Sequence, residues 1–132
     1  INSISRRNEL ILSRSFDLAN YRERHGYDSA GWPKNGGFLK KPNQTVLQVG
    51  QRIDRYGEGG GTYASPLGTP FERRSLPKGS ERLPYQAYLV KKPIPSLAGR
   101  VAPAFGQKGM GTQYKFQKSI DILVAEGYLE KL

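Results

Sequence analysis

Gln113 stands in the stretch Gly109-Met110-Gly111-Thr112-Gln113-Tyr114, and its amide can both donate and accept hydrogen bonds. On a strand from Thr112 to Phe116, Tyr114 and Phe116 point one way and Gln113 the other. If the aromatics pack into a core, the amide faces a cleft. Arg55 poses a second chemical question. On an extended stretch from Gln51 to Tyr56, it shares a face with Ile53, while Arg52, Asp54 and Tyr56 share the other. A guanidinium beside an inward isoleucine requires an anion, either a carboxylate of the fold or a phosphate of a ligand. Asp54 and Glu72 sit beside arginines, where a structural ion pair is the ordinary role. Glu58, within the link Gly57–Gly61, is the best candidate if a carboxylate is needed.

Several other chemistries are excluded. The chain has no cysteine, which removes disulfides and thiolate nucleophiles. Its one histidine, His25, lies in Arg24-His25-Gly26-Tyr27 without a second ligand nearby. A structural or surface role fits it better than a metal site or a Ser-His-Asp triad. Neither Gly59-Gly60-Gly61 nor the later cluster Gly106/Gly109/Gly111 has the strand–GxGxxG–helix setting of a dinucleotide fold.

Positioning these groups falls to short elements. Leu12, Phe16 and Ala19 recur at helical spacing in the first segment, up to about Arg24. That segment reads either as an amphipathic helix docked on the domain or as the tail of a linker. Residues 27–42 are turn-rich and carry the only tryptophan, with Asn35-Gly36-Gly37 supplying positive-φ freedom. Thr45 to Val49 is extended. Tyr85 to Lys91 is the clearest strand, closed by Pro93 and Pro95, and Leu97 to Pro103 reads as a further short strand or bend. Ile120, Leu123, Val124 and Tyr128 give one short terminal helix, capped by Ser119 and Gly127.

At 132 residues the chain fits one domain, and its low hydrophobic content with abundant Gly and Pro argues for turns and short strands. A net charge of +10 predicts attraction to polyanions, an acidic membrane surface or an acidic protein, without choosing among them. No apolar run approaches the roughly 20 residues that span a bilayer. The start, Ile1-Asn2-Ser3-Ile4, lacks an initiator methionine and reads as a piece of a longer polypeptide. Residues 1–30 are expected to be a helical extension or linker, and 31–132 the functional domain.

Several motifs occur in order: Trp32-Pro33-Lys34-Asn35-Gly36-Gly37-Phe38, Ile53-Asp54-Arg55-Tyr56-Gly57, Ser65-Pro66-Leu67-Gly68-Thr69-Pro70-Phe71, and Arg74-Ser75-Leu76-Pro77. They are followed by Tyr85-Gln86-Ala87-Tyr88, Ala102-Pro103-Ala104-Phe105-Gly106-Gln107, Gly111-Thr112-Gln113-Tyr114, and a closing segment from Leu123 to Glu130. From Trp32 onward, the chain resembles the tuberculosis necrotizing toxin family. The resemblance implies a small α+β domain with a mixed or antiparallel sheet core, distantly like the ADP-ribosyltransferase toxins, with N- and C-terminal helices. It implies hydrolysis of NAD, and of NADP, to nicotinamide and ADP-ribose, with both as substrates and no cofactor or metal. It also implies a secreted module at the end of a larger toxin, acting in a target cell's cytosol and restrained by a cognate immunity protein.

Carried over by motif, the family's site residues fall on Arg55, Tyr63, Arg74 and Gln113. Where some members have a histidine in the central strand, this chain has Gln86, so no imidazole contact transfers. The leaving nicotinamide is neutral, so the reaction needs no general acid. It needs a held ribose, a fixed pyrophosphate and one water. Arg55 and Arg74 suit a phosphate clamp, with Arg73 as the rival for the second place. Tyr63 or Phe71 suits a nicotinamide pocket, and Gln113 suits the ribose 2′-hydroxyl and its water. Ordinary glycosidases instead place two carboxylates around the bond. Two other functions compete: a basic nucleic-acid-binding or ribonuclease toxin, and transfer of ADP-ribose to protein. The spread of the basic residues and the single histidine weigh against the first, and the lack of a convincing catalytic glutamate weighs against the second.

Overall fold

The computed structural model describes Tyr27, Pro33 and residues 35–132. Among them, seven strands form a single sheet: β1 (Asn43–Leu47), β2 (Arg52–Tyr56), β3 (Tyr63–Pro66), β4 (Tyr85–Val90), β5 (Ile94–Arg100), β6 (Thr112–Lys115) and β7 (Leu129–Lys131). Their order across the sheet is β1-β5-β6-β3-β2-β4-β7. Every pairing is antiparallel, and the sheet curls into a half-barrel. One α-helix, α1 (Ile120–Ala125), and two 3-10 turns, Phe71–Arg73 and Ser80–Arg82, complete the described elements.

This overturns the α+β expectation with a helix at either end. The described residues are mostly antiparallel sheet with one short helix. No parallel pair occurs among them, and the links between the strands hold no helix of the dozen or so residues that a parallel crossover requires. The N-terminal helical spacing at Leu12, Phe16 and Ala19 lies outside the described residues, as does His25.

The closing helix is shorter than its periodicity implies, and it is not terminal. Ser119 caps it as expected, its hydroxyl accepting from the Ile122 N–H at 3.2 Å. At the other end Gly127 takes φ +82°. There the Tyr128 N–H reaches back to the Leu123 carbonyl at 2.8 Å, and Gly127 N–H to Val124 at 3.1 Å. These two bonds make a Schellman stop. They turn the chain so that Leu129–Lys131 pairs with β4 as an edge strand. Tyr128 packs on the core from that turn and not from the helix.

Pro95 also departs from expectation, lying inside β5 and not beyond a strand end. It pairs only with Val46 of β1, because the β5–β6 ladder begins at Leu97. A missing N–H is tolerated where a strand has one neighbour.

The core lies on one sheet face, built from Leu47, Ile53, Ala64, Tyr88, Val90, Ile94 and Phe116, with Ile120, Leu123 and Leu129 closing it. Tyr114 packs against the same cluster. The paired positions Ile53↔Tyr88 and Ala64↔Tyr114 fix that face. The opposite face is then set by alternation: Asp54 and Tyr56 on β2, Tyr63 and Ser65 on β3, and Gln113 and Lys115 on β6.

Candidate functional site

Asp54 is the anchor of that second face. It is fully buried and holds three partners. Its Oδ2 accepts from the Gly68 N–H at 2.9 Å and the Tyr85 hydroxyl at 2.7 Å. Its Oδ1 lies 2.7 Å from Arg74 Nη1. That last contact is an ion pair by distance without hydrogen-bond alignment. Arg74 turns its remaining nitrogens inward as well, with Nε and Nη2 donating to the Thr69 carbonyl at 3.0 and 2.7 Å. Its guanidinium sits 4.9 Å from the centre of the Tyr56 ring. Tyr56 in turn stacks edge-on to Phe71 at 5.3 Å and tilted to Tyr85 at 5.0 Å. The bond to Asp54, followed by burial, pushes the Tyr85 hydroxyl up to about 12.

Beside this network is a shallow depression of about 50 Å³, lined by Asp54, Arg55, Tyr56, Tyr63, Ala64, Ser65, Arg74, Leu76 and Gln113. It brings together four of the residues singled out in the sequence: Arg55, Tyr63, Arg74 and Gln113. Burial alone raises the Tyr63 hydroxyl's pKa. The Gln113 amide donates from Nε2 to the Gly36 carbonyl at 3.1 Å. The loop before β6 is stitched to the end of the first 3-10 turn, with Gly111 N–H donating to the Arg73 carbonyl at 3.1 Å. A larger concavity of about 440 Å³ lies elsewhere, along β1, β5 and the end of β6, and none of those four residues lines it. Its volume suits a ligand, but the residues with site chemistry gather at the smaller depression.

Arg55 lines the depression, yet alternation turns its side chain to the Ile53 face. There Nη1 donates to the Tyr63 carbonyl at 2.7 Å, and Nε is buried without a hydrogen-bond partner. Burial lowers its pKa, opposed by the nearby Tyr88, Asp121 and Glu58. The glycine link wraps it closely: a Cβ at Gly61 would lie 2.3 Å from Arg55 Nη2. Phe71 and Arg73 do not line the depression. Phe71 packs on Tyr56, and Arg73 is exposed. Gln86 sits opposite Arg55 on β4 and spends its amide on the carbonyls of Ala87 and Leu132, both at 2.9 Å.

Sequence reasoning missed three contributors. Asp54 pairs with Arg74, twenty positions away, and not with the arginines beside it in sequence. Lys115, on the same face as Gln113, holds its ammonium 5.7 Å from the centre of the Tyr63 ring; alternation along β6 could have found it. The Asn35–Gly37 turn reaches the Gln113 amide across the fold, a contact that neither its loop character nor its place in the motif series indicates.

Comparison with known proteins gives this geometry its setting. Residues 46–132 match the family model described as tuberculosis necrotizing toxin. A conidial surface nicotinamide adenine dinucleotide glycohydrolase of Aspergillus fumigatus is 37% identical over 112 residues, 76% of this chain and 48% of the relative. The chain thus spans about half the length of that curated relative. The structure of tuberculosis necrotizing toxin complexed with its immunity factor aligns with a TM-score of 0.63 at 26% identity, covering 75% of this chain and 60% of that one. The family match covers most of the sheet, including the strands that carry Arg55, Tyr63 and Gln113, and so the chain belongs to the tuberculosis necrotizing toxin family.

Proposed function

We propose that this domain hydrolyses NAD, and NADP with it, at the bond between nicotinamide and ribose, releasing nicotinamide and ADP-ribose. The observation that carries the reading is the meeting of Tyr63 and Gln113 at one depression on a shared sheet face, in a family with a relative named as an NAD glycohydrolase.

The chemistry suits the residues present. Nicotinamide leaves as a neutral molecule, so no acid has to protonate it. The ribosyl carbon passes through an oxocarbenium-like state that needs electron-rich neighbours and a positioned water. Among the described residues Asp54 is the only carboxylate lining the depression, and both its oxygens are engaged by Arg74, Gly68 and Tyr85. Among the described residues no pair of free carboxylates lines it, as it would in ordinary glycosidases. The neutral amide of Gln113 takes that place by accepting from a ribose hydroxyl, and Tyr63 walls the site. A depression of about 50 Å³ admits only part of a dinucleotide, so the remainder lies across the surface. There Lys115 and the exposed Arg73 are the cations on hand for pyrophosphate.

By the same reading, residues 31–132 form the catalytic unit of a toxin delivered into target cells, acting in their cytosol. The relative complexed with its immunity factor supports a cognate inhibitor for this chain as well.

Purified protein incubated with NAD is expected to release nicotinamide and ADP-ribose in equal amounts. A Gln113→Ala variant is expected to lose about 100-fold or more in kcat while keeping its melting temperature. An unchanged NAD pool at high enzyme concentration would refute the activity. Full turnover by Gln113→Ala would refute the site.

A further inference from the structure

We propose that the backbone turn Asn35-Gly36-Gly37 is a positioning element for Gln113: its Gly36 carbonyl holds the amide in one orientation, leaving the amide oxygen as the face offered to substrate. The inference rests on the hydrolase reading for its consequence, but not for its geometry.

The turn is anchored on three sides. Phe38 N–H closes it onto the Asn35 carbonyl at 3.1 Å, Ala102 N–H donates to Gly37 at 2.9 Å, and Leu39 N–H donates to Arg100 at 2.9 Å. Phe38 is buried and bridges to Val101. Its ring lies against Gly99, the position paired with Gln113 across β5 and β6. The Gly36 carbonyl can only accept, so the Gln113 group facing it at 3.1 Å must be the NH2. The oxygen Oε1 is thereby turned away from that carbonyl. A carbonyl oxygen so presented carries partial negative charge, which suits both a ribose hydroxyl donor and a developing cation.

Side chains are absent from the turn where they would disturb this arrangement. A Cβ at Gly37 would sit 3.3 Å from Gln113 Nε2 and 3.5 Å from Oε1. A Cβ at Gly36 would sit 3.2 Å from the Tyr63 hydroxyl. Both glycines have positive φ, +64° and +90°, so an added methyl meets crowding and backbone strain together. Gly50 separates these two effects: its φ is +97°, and nothing lies within 4 Å of a Cβ built there.

Orientation by a carbonyl makes a specific demand of a charged replacement. Gln113→Glu puts a carboxylate where the Gly36 carbonyl requires a donor, and only the protonated acid can supply one. Gln113→Glu is therefore expected to be at least about 10-fold slower than wild type at neutral pH and to recover, relative to wild type, toward pH ~5. Gly37→Ala is expected to lower kcat about 10-fold or more with KM little changed, and Gly50→Ala to behave as wild type. A Gln113→Glu enzyme as fast as wild type at neutral pH, or with the wild-type pH profile, would overturn the proposal. So would a Gly37→Ala enzyme no slower than Gly50→Ala. If Gln113→Ala is inactive while those variants are normal, the orienting role alone falls and the hydrolase reading stands.

A readout independent of activity is the ¹⁵N relaxation of the Gln113 side-chain amide. An order parameter near the ~0.85 of rigid backbone is expected in wild type and Gly50→Ala, dropping in Gly37→Ala. A value below ~0.6 in wild type would end the proposal whether or not NAD is hydrolysed.

Discussion

Arg74 Nη1 rests 2.7 Å from Asp54 Oδ1, with only 5% and 0% of their side chains exposed. The sequence offered Arg74 as a grip for phosphate, but its nitrogens face Asp54 and the Thr69 carbonyl. Removing either partner strands a buried charge, so Asp54→Ala or Arg74→Ala is expected to cost about 3–5 kcal/mol in urea unfolding. Arg74→Lys is expected to remain destabilised, because an ammonium cannot span Asp54 and Thr69 with a planar fork. Wild-type stability with a raised KM in Arg74→Lys would return the residue to ligand binding.

Tyr85 carries a pH signature. Its folded value of about 12 lies above the ordinary 10.0, first through its bond to Asp54 and then through burial. A phenol held protonated by the fold contributes stability that is whole below pH 10 and is lost as pH climbs toward 12. Urea midpoints taken just below pH 10 and near pH 12 are expected to fall less in Tyr85→Phe than in wild type. Equal falls would mean that the Asp54 bond does not govern this titration.

Gly59 joins the glycine link to the start of α1. Its carbonyl accepts from the Asp121 N–H at 2.9 Å, and a Cβ there would lie 1.9 Å from Asp121 Oδ1. Gly59→Ala is expected to cost no more than about 1 kcal/mol, because the obstruction is the end of an exposed side chain that can rotate away. Because the obstruction is one side chain, adding Asp121→Ala should recover most of the loss. Additive losses in the double variant would place the cost in the backbone instead.

What could be read from the sequence followed the range of the signal. Alternation over five residues correctly put Ile53 on the core face and Gln113 opposite Tyr114, because a strand's period is local. Ser119 as a helix cap was equally local. The helix itself was overextended because Tyr128 keeps helical spacing while Gly127 has already turned the chain. Asp54's neighbours in sequence point to an adjacent arginine, but its cation arrives from a distant turn. Contact between the Asn35–Gly37 turn and Gln113 spans the fold and leaves no periodic trace, only the presence of two glycines.

The strand order has a consequence for how the molecule comes into being. β3, in the middle of the sheet, pairs on one side with β6, about fifty residues further along the chain. Closing so long a loop is paid in entropy before any contact repays it, and ladders of this kind form slowly. A chain growing from its N-terminus thus holds Tyr63 long before it holds Gln113. The depression between them cannot form until the strand carrying Gln113 has arrived, so a chain that stops short of β6 lacks one of its walls.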